Sequence, residues 1–208
     1  MSKNHDSDPA PMTAAQLIEA STALGSLPLW AYQVRRAKIL ALGKAPIIKP
    51  VDAFSSGEVV DTEPFEPEEH FKVVGGLVRM SFDDRFLRLF GKKIWRREAF
   101  EIGSFDLTKK CDSDRSFRTD LPGEHCTDLP VLLDLLYLQP SGQEGRLVTT
   151  GCANVFYQYS VQGEEWILKV RRSSDAWNIS EESLSSGMAV SCEEGDRVFT
   201  RKPIGCWA

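Results

Sequence analysis

Few residues in this chain are of the types that do covalent or metal chemistry, and their spacing is loose. Cys111, His125 and Cys126 share one polar stretch, with Cys152, Cys192 and Cys206 further along. Tetrahedral zinc takes Cys and His ligands in pairs a few residues apart. No C-x-x-C pair occurs here, and adjacent His125 and Cys126 are a poor chelating pair, so neither a metal nor another cofactor is expected. A thiol nucleophile at Cys126 or Cys152 with His125 as its base needs only closeness in space. No Gly-x-Ser-x-Gly elbow or glycine-rich phosphate loop accompanies it, and Gly91-Lys92 lacks the preceding glycine of a phosphate-binding loop. Asp83-Asp84 and Glu164-Glu165 fall on expected turns, where carboxylates are ordinarily solvated. A Cys/His enzyme is therefore a minor reading, and a non-enzymatic role the preferred one.

A second chemistry lies in the basic and aromatic stretch. Arg85, Arg88, Lys92, Lys93, Arg96 and Arg97 interleave with Phe86, Phe90 and Trp95. On a sheet, such cations track phosphates while exposed aromatic residues, Trp95 above all, stack on bases. The plainer explanation is a set of strands with apolar residues inward and cations outward, where they guard edges. The formal net charge of −5 and the acidic run from Asp52 to Glu69 weaken the nucleic-acid reading.

The elements that must position these groups follow from periodicity. Thr13 to Gln16 forms a capping box, and a second helix from Pro28 to about Leu42 carries Trp30, Val34, Ala37 and Ala41 on one stripe. Trp30 and Val34, rimmed by Arg35 and Arg36, are the candidate anchors for a protein partner. The same stripe also suits a helical hairpin covering its own sheet. Prolines at 46, 50, 64 and 67 and the acidic run make residues 45–70 an expected linker.

From Phe71 onward the chain reads as β-rich. Residues 82–90 admit a capped helix from Ser81 to Gly91, but β-rich flanks favour strands. Val131 to Leu138 reads as a helix opened by Asp128 and Pro130. Asn154 to Val161 and Trp166 to Arg172 form the clearest hairpin, with Tyr157 and Tyr159 alternating against Phe156 and Gln158. Arg146 to Thr150 adds a strand, Ser180 to Ser186 a turn or two of helix, and Met188 to Cys192 with Arg197 to Lys202 a closing hairpin. A curved sheet built this way could also enclose a small ligand among Tyr157, Tyr159 and Trp166.

The 208 residues, 42% apolar and 26% charged, suit one domain with appendages. No apolar run reaches the roughly 20 residues that span a bilayer. Five cysteines without paired spacing and a polar N-terminus without an apolar leader core point to a reducing, cytoplasmic setting. The expected organisation is a disordered tail (1–11), a helical pair (12–44), an acidic linker (45–70) and an antiparallel β-rich domain (71–208). The fold class is α+β, a curved antiparallel sheet or partly open β-barrel with N-terminal helices. The expected role is a protein-interaction or accessory module.

Overall fold

A computed structural model of the chain describes residues 46–53, 65–78, 84–94, 100–184 and 189–203. It is an α+β structure around one six-stranded sheet. The strands are β1 (Ile48–Ala53), β2 (Phe100–Leu107), β3 (Asn154–Tyr159), β4 (Glu165–Arg172), β5 (Trp177–Ser183) and β6 (Arg197–Pro203), in the spatial order β1-β2-β6-β3-β4-β5. Among the described residues four helices accompany them: α1 (Pro67–Val78), α2 (Asp84–Phe90), α3 (Arg115–Arg118) and α4 (Leu129–Leu138).

The sheet is mixed and open. β3 runs parallel to β6, through Asn154↔Arg197 and Val155↔Val198, while the other neighbours are antiparallel. The order begins at β1 and ends at β5, so the sheet does not close into a barrel. β6 joins β2 and β3, and the closing hairpin expected for it does not form among the described residues, where Cys192 bridges Cys111 instead. The edge strand on β4 is β5, Trp177–Ser183, so residues 180–183, where a helical turn or two was expected over Ser180 to Ser186, are strand. Residues 146–150 are loop, their backbone held by Asn154, whose Oδ1 accepts from Val148 N at 2.7 Å and whose Nδ2 donates to Val148 O. The expected 154–172 hairpin is present, in register Asn154↔Val170 to Tyr159↔Glu165.

Strand alternation sends side chains to two separate cores. Phe100, Ile102, Phe156, Trp166, Leu168, Val170 and Phe199 meet the helices on one face. Phe105, Leu107, Val155, Tyr157, Ile167 and Val198 meet Ile48, Phe117, Val190 and Cys192 on the other. Both faces are covered, which is why β3 is buried at every position except Tyr159. α4 is apolar nearly all round and lies inside the first core. Pro130 in its first turn needs no hydrogen-bond partner for its nitrogen. Buried Gln139 fastens its other end: Gln139 Oε1 accepts from Leu147 N at 2.7 Å, and Gln139 O accepts from the Trp177 indole at 2.9 Å.

Further elements differ from the sequence reading: α1 begins in the expected linker and continues where strands were expected. Residues 84–90 are helical, not stranded. Phe86 and Phe90 are one turn apart and both buried while Arg88 between them is exposed; a strand would put Arg88 on the same buried face. Within the stretch expected as linker, Ile48–Ala53 pairs with β2, and its irregular register near Pro50 suits a proline at a sheet edge. No described helix is long and apolar enough to cross a membrane. The expected helical pair at 12–44 lies outside the described residues.

Candidate functional site

An open concave surface lies between α1 and α2. α1 starts at Pro67, with Glu68 and Glu69 at its positive end, where acids are favoured. Its inner side carries Phe71 and Val74, three residues apart and both buried. α2 presents Phe86 and Phe90 in the same direction. A ladder of rings joins the two helices to the sheet: Phe71 to Phe86 at 6.0 Å, Phe86 to Phe90 at 4.9 Å and Phe90 to Trp166 at 6.0 Å, the first and last edge-on. Phe65 N and O exchange hydrogen bonds with Ile94 O and N, closing the frame behind α2.

Between the two helices this frame leaves a groove of about 630 Å³, lined by Pro67, Phe71, Gly75, Leu87 and Gly91 with Glu68 and Lys72. Gly75 brings no side chain to it. Gly91 cannot bear one, since a Cβ there would sit 2.4 Å from the Leu87 carbonyl oxygen. Leu87, 37% exposed, stands on the groove's edge, and exposed Glu68 and Lys72 form an i,i+4 pair of opposite charges beside it. The lining is mainly apolar, and the volume falls in the range of small-ligand and side-chain pockets. A second cleft of about 400 Å³ is more polar, with Lys92, Lys93, Thr127, Gln158, Tyr159 and Ser160 in its wall. The segment after α2 contributes to both.

The sequence-derived candidates are distributed as follows. Trp30, Val34, Arg35 and Arg36 lie outside the described residues, as do Trp95, Arg96 and Arg97. Arg85 pairs with Glu181 at 3.4 Å, and Lys93 pairs with Glu66. Arg88 and Lys92 are exposed. Phe86 and Phe90 are core residues, so neither offers a face on which a base could stack.

Tyr157, Tyr159 and Trp166 do not line a common cavity. Trp166 stands opposite Gln158 and belongs to the helical face, while Tyr157 is buried on the other. Tyr159 is 61% exposed.

His125 and Cys126 sit in a polar cluster on the second face. The Cys126 thiol donates to Glu165 Oε1 at 3.3 Å, and Arg118 pairs with the same carboxylate. Burial, then the Glu165 charge, pushes the Cys126 thiol up to about 12. Burial, then the Arg118 charge, pushes His125 down to about 4. At neutral pH both groups are uncharged. The thiol faces a carboxylate that opposes its ionisation, the reverse of the electropositive setting that activates a cysteine. Among the described residues no three His, Cys, Asp or Glu side chains converge as a metal-ligand set.

The groove residues were not singled out by the sequence. The available signal was Pro67-Glu68-Glu69, a helix start, followed by Phe71 and Val74 at helical spacing. The surrounding prolines and acids masked it as linker. Compared with family models, with characterised proteins and with solved structures, the chain matches none.

Proposed function

We propose that the protein is a non-enzymatic protein-interaction module and that the groove between α1 and α2 is its binding surface. The observation that carries this reading is the groove itself: an apolar trough on the protein's surface with a half-exposed leucine at its edge and a charged pair beside it. Its chemistry suits the apolar face of an amphipathic helix from a partner protein, with one or two large side chains entering between Phe71 and Leu87. Glu68 and Lys72 would set the partner's orientation more than its affinity. Trp30 and Val34 remain candidate anchors of a second contact.

The alternative, nucleic-acid binding by the Arg85–Arg97 stretch, keeps the exposed cations Arg88 and Lys92. It lacks the stacking contribution of Phe86 and Phe90.

The test is capture from nuclease-treated native lysate by full-length protein and by the full-length variants Leu87→Asp and Trp30→Ala. Binding of the recovered protein is then measured with purified components. The groove reading predicts that Leu87→Asp weakens this binding at least tenfold. Loss confined to Trp30→Ala would move the surface to the N-terminal segment. Recovery only without nuclease treatment, and equally by all three proteins, would favour nucleic acid.

A further inference from the structure

We infer that Cys111 and Cys192 are a dithiol pair that closes reversibly to a cross-strand disulfide. The two residues face each other in an antiparallel bridge beyond the ends of β2 and β6, and each N–H donates to the other's carbonyl at 2.8 Å. Residues opposed in this way project their side chains to the same side of the ladder, with Cα atoms about 5.5 Å apart. Disulfides span Cα separations of about 4.4–6.8 Å. Both side chains belong to the same buried cluster, against Phe105, Leu107 and Val190. The other described cysteines are placed differently: Cys126 contacts Glu165, and Cys152 lies against Glu194 and Gly195.

The surroundings suit a switch better than a permanent staple. In a hydrogen-bonded pair the Cβ atoms stand about 4.5–5.5 Å apart, whereas a disulfide needs about 3.8 Å. Closure draws the two strands together, and a bond formed against that resistance is readily reduced. Both thiols are almost fully buried, so reaction follows local opening of the bridge. Burial also pushes the Cys192 thiol up to about 12, which keeps the closed pair unreactive. The exposed Lys110–Glu193 ion pair, at 2.9 Å, flanks the bridge, and Asp196 ties the adjoining turn by accepting from Glu193 N and Ala153 N.

The oxidant class is a low-molecular-weight disulfide. The thiolate of one cysteine attacks a sulfur of glutathione disulfide, forming a mixed disulfide and releasing one glutathione. The second cysteine's thiolate attacks the protein-bound sulfur and releases the other. The two glutathiones take up the two thiol protons, and the protein loses two electrons to the oxidant.

The test incubates the full chain with glutathione disulfide in urea below the unfolding transition. Free thiols are then trapped with iodoacetamide, and unreduced peptides are mapped by mass spectrometry. The expected result is a Cys111–Cys192 cross-linked peptide that dithiothreitol dissolves, with Tm raised by about 5 °C in the oxidised chain. The combined variant Cys126→Ser, Cys152→Ser, Cys206→Ser should give the same cross-link, and Cys192→Ser should abolish it together with the Tm rise. Glutathione adducts persisting at Cys111 or Cys192, cross-links through other cysteines, or both thiols remaining open to iodoacetamide would each overturn the inference.

Discussion

The two faces of the sheet are both buried, but by different means. On the helical face the cover is hydrocarbon: stacked Phe156 and Phe199, ring centroids 4.5 Å apart, beneath an apolar α4. On the other face loops and the single-turn helix α3 cover the sheet, and charges lie among the apolar residues. Arg118 meets Glu165 and packs over Tyr157, and Lys169 Nζ donates to Glu182 at 2.6 Å and to Ser191 O. Loops bring unpaired backbone and polar side chains to a sheet face, and buried polar groups must then find partners. Helices satisfy their own backbones, which leaves the helical face free to be apolar and, at the α1–α2 groove, open.

The comparison breaks most visibly in the helical core. Phe156→Ala removes a fully buried ring from the stack with Phe199, and should cost about 3–5 kcal/mol in urea unfolding. A small loss there would mean the two cores share the load differently from this account.

On the polar face the effect should depend on which partner is removed. The Lys169 side chain is 6% exposed and that of Glu182 41%. Glu182→Ala leaves a buried ammonium short of its countercharge and should cost about 2 kcal/mol, whereas Lys169→Met leaves a carboxylate that water can reach and should cost less than about 1 kcal/mol. Equal losses from the two variants would show that the pair is solvated as a unit.

A smaller effect comes from His125. Its ordinary value is 6.5, and in the folded chain burial beside Arg118 holds it at about 4. The unfolded chain therefore takes up this proton first. The destabilisation is absent above pH 6.5, grows as pH falls toward 4, and adds nothing further below that. His125→Gln should flatten the stability profile in this window relative to wild type, as read by urea midpoints across pH. Identical slopes would mean that the ring is hydrated.

How much of this was legible in the sequence depends on whether the cue was local. The β3–β4 hairpin was, because period-two alternation and Gly163 in the connecting turn lie within twenty residues. Helix α4 was also legible, from Asp128, Pro130 and an apolar run. The β3–β6 parallel contact was not: its residues are more than forty positions apart, and nothing in Arg197–Pro203 distinguishes a neighbour at β2 from one at 188–192. Residues 84–90 satisfied both a helix and a strand pattern, and tertiary packing of Phe86 and Phe90 decided it. The groove went unread for a related reason. Its openness comes from Gly75 on α1 and Gly91 just beyond α2, brought to one groove by the fold, a spatial fact with no sequence period. The Arg118–Glu165 pair likewise joins residues expected on a loop and a solvated turn.

The smallest effect on folding should come from Leu87→Asp, whose side chain is already half in water; stability should stay within about 0.5 kcal/mol of wild type. That makes it the sharpest probe of the groove. The decisive measurement is calorimetric titration of the protein recovered by lysate capture into wild type and into Leu87→Asp, after confirming equal urea midpoints. The account predicts affinity lowered at least tenfold by the substitution. Unchanged affinity at equal stability would contradict it and place the binding surface elsewhere on the molecule.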